Sequence, residues 1–374
     1  MTRRTKVLQV VLDLEAGGLE RLVADLVRGI DRSRFDVELL ALSHLGRYGE
    51  GLEAVAPVHT CRSFPLISLL WPRKVAGLIR RIAPDVVHSH SGVWYKSSKA
   101  ARLAGVPRVI HTDHGRRHVP DYRRDRFFDR KAARRTDVVV AVSDPLAKHM
   151  ANGLVDPAKV QVIRNGVDTK AFAPRPDDGA LRASWGIAPG RPVIATVGRF
   201  DPIKRYDLMI EALFHLRAEG RSPAPVLVIA GEGPDEGVLR RRIAELGLSD
   251  DDVKLPGWVG DVHPLLALAT IFSLSSQSEG TSISLLEAMS AGVCPVVTNV
   301  GGNGQVLGEN LRHRLVPFGD PKAMATAWGN VLGDSAARER DAQVARRRVE
   351  EVYSLEAMVR GYERLYVGRG TPPA

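Results

Sequence analysis

Short runs of aliphatic and β-branched residues recur along the chain, and segments with helical periodicity separate them. Parallel strands need long crossover connections, which are usually helices, so this alternation predicts parallel sheets covered by helices. The runs typical of buried strands are residues 6–14, 36–42, 85–90, 109–112 and 137–142, followed later by 192–197, 226–230 and 269–276. The pattern therefore predicts an α/β fold with two series of strands.

A segment rich in proline, aspartate and glycine divides the two series. It contains Pro174, Pro176 and the run 177–179, a composition typical of an interdomain linker. A chain of 374 residues is long enough for two domains of ordinary size. We therefore predict one domain over residues 1–175, a second over 185–354, and a C-terminal helix over 355–374.

The stretch 278–292 joins a predicted buried strand directly to a predicted helix. Glu279 follows the strand, and Thr281 or Ser282 can cap the helix. A helix N-terminus offers backbone N–H groups and partial positive charge, which favours a phosphate. Glu287 lies about a turn and a half into the helix, near the same end. Each glutamate alone is also typical of a solvated surface, but together they predict binding to the hydroxyl groups of a phosphorylated ligand.

The sequence resembles the retaining GT-B glycosyltransferases of family 4 in three places. These are the spacing of the two glutamates, the segment 285–292 and the string from Asn165 to Phe172. The resemblance implies two facing Rossmann-like domains with a cleft between them, and a last helix that packs back onto the first domain. It also implies transfer of a sugar from a nucleotide diphosphate sugar with retention at the anomeric carbon. By the same resemblance, Glu287 holds the ribose hydroxyls and Glu279 contacts the donor sugar.

Arg199 and Lys204 lie in one predicted loop between a strand end and a helix start. Two cations converging there suit a diphosphate, although isolated cations are most often solvated. Their Gly-Arg-x4-Lys pattern resembles the family element that binds the donor diphosphate. With the helix N-terminus, these cations would stabilise a departing nucleoside diphosphate, and preorganised charge of this kind is usually the largest catalytic contribution.

Glycines and histidines at strand ends are the candidates in the first half. Gly17 and Gly18 let the backbone approach a ligand, although a tight turn has the same pattern. His90 and His114 each fall at a strand end, where open α/β sheets bind ligands, and either could also be a packed core histidine. The resemblance favours His114, which falls in the family's Thr-x-His-Gly element near the donor sugar and acceptor. The predicted catalytic residues are His114, Arg199, Lys204 and Glu279, and the predicted donor-binding residues are Gly17, Gly18, Arg199, Lys204, Glu279, Gly280, Thr281, Ser282, Ile283, Ser284 and Glu287.

We expect no bound metal, and no cofactor beyond the nucleotide sugar as co-substrate. Cys61 and Cys294 predict neither a disulfide framework nor a zinc site. The acidic run 250–252 falls between a predicted helix and a predicted strand, which indicates a turn and not a metal-binding pair. Gln305 stands where the family usually has an acid, which leaves the donor identity open.

Two basic segments, 73–81 and 122–135, have aromatic residues in or beside them. The simpler interpretation is that they are solvated helix faces, with Phe127 and Phe128 turned to the core. The alternative is a peripheral contact with an anionic membrane, which would suit a lipid-linked acceptor. A net charge of +10 could also attract nucleic acid, but no nucleic-acid-binding motif is present, so we expect no such partner.

The favoured function is transfer of a hexose or related sugar from a UDP- or GDP-sugar to a lipid-linked or saccharide acceptor, in cell-surface glycan or exopolysaccharide synthesis. The alternatives are a GT-B nucleotide-sugar epimerase, a soluble transferase, synthase or phosphorylase acting on small molecules, and a non-catalytic nucleotide-sugar-binding protein. The sequence has neither a transmembrane-length apolar run nor a signal-peptide pattern. We therefore expect a cytoplasmic protein that can associate with the inner face of the cell membrane.

Overall fold

A computed structural model of the protein describes residues 3–15, 17–49, 51–62, 71–115, 123–220 and 222–367. The chain forms two compact units. The first takes in the chain up to Gly166 and the segment from Leu355 onward, and the second comprises Val167–Ser354. Each unit is built on one parallel β-sheet covered by helices.

The strands are β1 (Thr5–Val11), β2 (Phe35–Ala41), β3 (Val58–Thr60), β4 (Val86–His90), β5 (Arg108–Asp113), β6 (Val138–Ala141), β7 (Val160–Val162), β8 (Val193–Val197), β9 (Val226–Ala230), β10 (Val253–Lys254), β11 (Ile271–Leu274), β12 (Cys294–Thr298) and β13 (Leu315–Val316). The helices are α1 (Gly18–Gly29), α2 (Arg73–Ile82), α3 (Trp94–Ala104), α4 (Arg123–Ala133), α5 (Asp144–Ala151), α6 (Ala180–Ser184), α7 (Tyr206–Arg217), α8 (Glu236–Glu245), α9 (His263–Leu268), α10 (Ile283–Ser290), α11 (Asn303–Leu307), α12 (Pro321–Gly333), α13 (Ser335–Val352) and α14 (Leu355–Val367).

The sheet of the first unit has the strand order β3-β2-β1-β4-β5-β6-β7, with parallel neighbours throughout the described residues. Leu8, Val10 and Val87 on its central strands are fully buried in one apolar cluster. The strand order reverses between β1 and β4. Open α/β sheets bind ligands outside the carboxyl ends of the strands at such a reversal. The last helix, α14, packs against α1 and β1 of this unit.

The sheet of the second unit has the order β10-β9-β8-β11-β12-β13, again parallel between described neighbours. Its order reverses between β8 and β11, so the same rule marks the carboxyl ends of these two strands. Apolar clusters form on both sides of the sheet, one around Trp328 and one around Phe272 and Leu286. The Trp328 indole N–H donates to the Ser273 hydroxyl at 3.0 Å, which satisfies a polar atom inside the core.

The division between the units differs from the predicted boundary at residue 175. Val167 and Phe172 are buried in a core cluster of the second unit. The backbone N–H of Val167 donates to the Tyr353 carbonyl at 2.9 Å, and the Ser290 hydroxyl donates to the Phe172 carbonyl at 3.0 Å. The segment after Gly166 therefore packs with the second unit. Proline and glycine content shows where regular structure is interrupted, but not which core the neighbouring apolar residues join.

The expectation that both phenylalanines of α4 face the core is wrong for one of them. Phe128 packs edge-on against Tyr95, with ring centroids 4.9 Å apart. Phe127 is 52% exposed, and the Lys131 ammonium lies 4.1 Å from its ring centroid. Successive residues on a helix point about 100° apart, so the two adjacent rings face different directions, and here only Phe128 is turned to the core. Across the residues that the structure describes, no helix is both long and apolar enough to cross a membrane.

Candidate active site

Two neighbouring strands of the second sheet carry the loops that hold the predicted donor residues. β8 leads into a loop with a short 3₁₀ turn at Pro202–Lys204, and β11 leads into the loop before α10. Because β8 and β11 are parallel neighbours, both loops leave the same edge of the sheet. The Gln277 backbone N–H donates to the Ile203 carbonyl, and the Ser275 hydroxyl donates to the Lys204 carbonyl, both at 2.8 Å. These bonds fasten the two loops together.

Lys204 and Glu279, 75 positions apart in the sequence, form an ion pair. The Lys204 Nζ lies 2.7 Å from Glu279 Oε1, and the Ser276 hydroxyl donates to the same oxygen at 2.6 Å. The two side chains are 21% and 9% exposed, respectively. A pair so shielded from water interacts more strongly than a surface pair, and loss of one partner costs more. The structure therefore brings together a predicted cation and a predicted acid at the strand-order reversal.

Helix α10 begins directly after this acidic loop. Ser282 is its N-cap, and the Ser282 hydroxyl accepts from the backbone N–H of Leu285 at 3.4 Å. Of the two caps that the sequence allows, the structure uses Ser282. Glu287 lies on the same helix and is only 4% exposed. Neither Glu279 nor Glu287 is a solvated surface residue, and buried acids at a strand-order reversal are candidates for ligand binding.

The remaining predicted residues of this segment surround the start of α10. Thr281 and Ser282 are buried, while Gly280, Ile283 and Ser284 are half-buried. The hydroxyl oxygens of Ser282, the N-cap, and Ser284, in the first turn, lie 3.2 Å apart. Backbone N–H groups of a first turn have no partner within the helix, and they form an anion-binding end.

Two glycines that the sequence analysis did not assign hold the acidic loop in place. The Gly302 N–H donates to the Glu279 carbonyl at 3.0 Å. A Cβ at Gly301 would lie 1.9 Å from the Glu279 carbonyl oxygen, and a Cβ at Gly302 would lie 1.8 Å from that of Gly280. Only glycine permits this approach of two backbones. The paired glycines of 301–302 were visible in the sequence, but their contact with the loop depends on the adjacency of β11 and β12.

Arg199 is not part of the ion pair. Its side chain is exposed, although it leaves the same loop as Lys204. Gln305, which stands in place of the family's usual acid, lies on α11. The Gln305 carbonyl accepts from Arg348 Nη2 at 2.7 Å and from the Tyr353 hydroxyl at 3.1 Å. These bonds tie α11 to α13 and to the residue that follows it.

In the first unit, the predicted residues lie at the carboxyl ends of the central strands. His114 directly follows β5 and is 7% exposed. His114 Nε2 lies 3.2 Å from His90 Nδ1, and His90 Nε2 lies 2.9 Å from Gln9 Oε1. His90, the weaker candidate from the sequence, thus contacts the stronger one directly. Gly17 is the N-cap of α1 and Gly18 its first residue; the Gly17 backbone is extended, with φ of 178°, which does not itself require glycine.

Gln9 is a site residue that sequence reasoning missed. It is fully buried on β1 and contacts His90. A single amide within an otherwise apolar strand was the available indication, because buried polar groups need hydrogen-bonding partners. Its partners could not be identified from the sequence, since His90 lies on β4 and Tyr366 lies on α14.

No group of three or more His, Cys, Asp or Glu side chains is placed to hold a metal ion within the described ranges. The acidic run 250–252 lies between α8 and β10. Asp252 accepts from the Ser249 N–H at 2.9 Å and from the Ser249 hydroxyl at 3.0 Å, and it pairs with Arg217. Asp252 therefore stabilises a turn.

The architecture defines the class of protein. The Anabaena HepE structure in complex with UDP-glucose matches with a TM-score of 0.83 at 20% identity, covering 98% of this chain and 100% of that one. A glycosyltransferase structure from Rickettsia africae matches with a TM-score of 0.82 at 20% identity, covering 98% of both chains. The fold is GT-B, an α/β fold with two Rossmann-like units.

The sequence comparisons then give the family. A model described as glycosyl transferases group 1 matches residues 177–348, and one described as glycosyltransferase family 4 matches residues 16–171. The D-inositol 3-phosphate glycosyltransferase of Jonesia denitrificans is 31% identical over 315 residues, covering 76% of this chain and 72% of that protein. The UDP-Gal:alpha-D-GlcNAc-diphosphoundecaprenol alpha-1,3-galactosyltransferase of Escherichia coli is 28% identical over 346 residues, covering 88% and 89%. The chain belongs to the group 1 glycosyltransferases of family 4.

Proposed function

We propose that this chain moves a hexose or related sugar from a UDP- or GDP-sugar to an acceptor hydroxyl, with retention of the anomeric configuration. The observation that carries the proposal is the shielded ion pair between Lys204 and Glu279 beside the N-terminus of α10. A diphosphate presents anionic oxygens like those of Glu279, so it can replace Glu279 as the ion-pair partner of the Lys204 ammonium. Glu279 is then released to accept hydrogen bonds from the neutral hydroxyls of the donor sugar.

The chemical task at this site is to stabilise a departing nucleoside diphosphate. Lys204, Arg199 and the first turn of α10 supply positive charge and N–H donors for it. In the proposed step, the bond from the anomeric carbon to the phosphate oxygen breaks while the acceptor oxygen bonds to the same face of that carbon. The acceptor proton passes to the leaving phosphate oxygen. We propose that these protein groups supply the charge without a bound metal ion.

The acceptor is proposed to be lipid-linked or a saccharide. The Escherichia coli relative acts, by its name, on a diphosphoundecaprenol-linked sugar, and a Rhizobium meliloti relative is named as a lipopolysaccharide core glycosyltransferase. The Jonesia relative is named for D-inositol 3-phosphate, which keeps a small-molecule acceptor as the second candidate. An acceptor panel that includes lipid-linked sugars, free oligosaccharides and phosphorylated polyols separates the two classes.

A basic aromatic face on the first unit supports the lipid-linked class. Trp71 is 55% exposed, and the Arg73 guanidinium lies 5.2 Å from its ring centroid. The Lys99 ammonium lies 5.6 Å from the centroid of the Trp71 ring and 5.9 Å from that of the Tyr95 ring. Tyr95 in turn packs against Phe128 of α4. Exposed aromatic rings beside cations suit the interface of an anionic membrane.

Co-sedimentation with vesicles tests this face. We expect the protein to pellet with phosphatidylglycerol vesicles and not with neutral phosphatidylcholine vesicles, and salt should release it. Replacing Trp71 and Phe127 by serine should weaken the binding. The matched control is Trp258→Ser, which removes another exposed tryptophan, from the second unit. Equal pelleting with both vesicle types would refute the electrostatic contact.

Calorimetric titration with UDP, GDP, ADP and dTDP tests the donor site. We expect one nucleotide to bind and Glu287→Ala to lose that binding, because the ribose contact assigned to this buried acid is removed. Glu309→Ala, which changes an acid of the same unit whose side chain is 81% exposed, is the control and should bind normally. Transfer assayed with the matching sugar donor, with NMR of the product's anomeric proton, then tests retention. A product of inverted configuration would refute the proposed step.

A further inference from the structure

A continuous chain of hydrogen bonds runs through the interior of the first unit, from His114 to α14. All its side chains are buried. Its six bonds, named below as the histidine chain, are His114 Nε2 to His90 Nδ1 at 3.2 Å, His90 Nε2 to Gln9 Oε1 at 2.9 Å, Gln9 Nε2 to the Tyr366 hydroxyl at 2.9 Å, the Tyr366 hydroxyl to His88 Nδ1 at 2.8 Å, His88 Nε2 to Thr112 Oγ1 at 2.7 Å, and Thr112 Oγ1 to the Tyr362 hydroxyl at 3.3 Å.

The middle of this chain is uncharged at neutral pH. Burial lowers the pKa of His90 to about 3. Burial, together with the neighbouring histidines, lowers the pKa of His88 well below its usual value. A neutral imidazole has one N–H donor and one nitrogen lone pair. Each of these rings must therefore donate at one nitrogen and accept at the other.

The Gln9 amide sets the direction of donation along the whole chain. Its oxygen accepts, so His90 carries its proton on Nε2 and presents a lone pair at Nδ1. The ring of His114 must then donate its Nε2–H to that lone pair.

On the other side, the Gln9 NH₂ group donates to the Tyr366 hydroxyl, which leaves the Tyr366 proton for His88 Nδ1. His88 then donates its Nε2–H to Thr112, and the Thr112 hydroxyl donates to Tyr362. With this orientation each of the six bonds joins one donor to one acceptor, and His88, His90 and a neutral His114 all carry their proton on Nε2.

We propose that Gln9 and His90 are positioning residues that fix His114 in its Nε2–H tautomer and so keep Nδ1 as the hydrogen-bond-accepting nitrogen. The role of this tautomer rests on the proposed function: in a glycosyl transfer, the hydroxyl groups of the sugar and of the acceptor can donate hydrogen bonds to an accepting Nδ1. Gln9 and His90 act through His114. The tautomer itself is a property of the protein that can be measured without substrate.

The first test is NMR of the full chain labelled with ¹⁵N-histidine, using long-range ¹H–¹⁵N spectra at neutral pH. Signals are assigned by single substitutions at His88, His90 and His114. We expect the chemical shifts of neutral Nε2–H rings for all three. An Nδ1–H tautomer at His114 would mean that the Gln9 amide faces the opposite way, and it would overturn the proposal, as would a rapidly exchanging mixture of tautomers.

Variants then test whether the histidine chain positions His114. Gln9→Leu removes both amide contacts, and Tyr366→Phe, which deletes a single oxygen, tests the same link if Gln9→Leu does not fold. In either variant we expect a mixture of tautomers at His114 and a kcat lower by about 10- to 100-fold, with the donor KM unchanged. Tyr362→Phe deletes the same atom one turn away at the far end of the chain, and the His114 signals should stay as in the wild type.

The outcomes separate this proposal from the proposed function. An unchanged His114 tautomer in the Gln9 and Tyr366 variants overturns the positioning role, even if kcat falls, because the loss of activity would then be structural. If the wild type transfers no sugar from any donor, the proposed function fails, while the NMR result still decides the tautomer.

Discussion

Replacing Lys204 by methionine tests the central ion pair, because the change removes the charge and keeps an unbranched side chain. Two unit charges about 4 Å apart attract by about 4 kcal/mol at an effective dielectric constant near 20. Removing one partner of a fully buried pair costs about 3–5 kcal/mol. Lys204 is 21% exposed, so water can reach the remaining Glu279 carboxylate, and the Ser276 hydroxyl still donates to it at 2.6 Å. We therefore expect the unfolding free energy to fall by about 2 kcal/mol, which lowers Tm by about 4–8 °C for a unit of this size.

Scanning calorimetry without ligand measures this effect on Lys204→Met, Glu279→Gln and the double variant. The loss of unfolding free energy in the double variant should be smaller than the sum of the two single losses by at least about 1 kcal/mol. Each single change leaves the other member of the pair without its partner, and the double change does not. Arg199→Met is the control for stability, because it removes an exposed cation of the same loop and should change the unfolding free energy by less than about 0.5 kcal/mol. Lys204→Met should also lower turnover by about a hundredfold. Single losses that add, or a Tm of Lys204→Met equal to that of the wild type, would refute the reasoning.

Three further outcomes are expected. Gly302→Ala should destabilise the second unit and reduce transfer, because its Cβ would lie 1.8 Å from the Gly280 carbonyl oxygen. Gly304→Ala is the control, since a Cβ there has only ordinary contacts, at 3.6 Å and beyond. Equal unfolding free energies for the two variants would contradict the steric argument. Burial lowers the pKa of His90 to about 3 and that of His88 well below its usual value. As the pH falls, these two imidazoles therefore take up a proton in the unfolded chain before they do so in the folded protein. Below about pH 6.5 the unfolding free energy should fall by about 1.4 kcal/mol per pH unit for each group. Urea unfolding at pH 7 and pH 5 measures this, His90→Asn should reduce the difference, and equal stability of the wild type at both pH values would count against it. Sugar transfer should persist after exhaustive treatment with EDTA, and a loss that Mg²⁺ or Mn²⁺ restores would show that the protein's own cations do not suffice.

The elements that carry the candidate site could be predicted because their determinants are local. The change from an apolar strand to a helical repeat around Glu279 predicts β11, a loop and α10 in that order, and the structure has them there. The choice of Ser282 over Thr281 as the cap is a detail of backbone geometry that both residue types allow. Phe127 was misplaced because a helical repeat fixes the relative directions of neighbouring side chains but not which one meets the core.

The contacts within the site could not be predicted in the same way. Lys204 meets Glu279 because β8 and β11 are neighbours, although two other strands lie between them in the sequence. Gln9 meets His90 and Tyr366 because β1 lies beside β4 and α14 packs against β1. Strand order is set by burial of both sheet faces and by crossover connections, which act between distant segments.

The sequence by itself determined the alternation of strands and helices, and with it the class of fold and the family-specific residues at the strand ends. These follow from hydrophobic period, capping and glycine placement, whose free energies depend on a few neighbouring residues. Only the tertiary structure decided that Glu279 is neutralised by Lys204, that Gly301 and Gly302 support the acidic loop, and that His114 ends a chain of buried hydrogen bonds. Those contacts depend on which distant groups are removed from water together, because a buried polar group must find its partner wherever the fold places one.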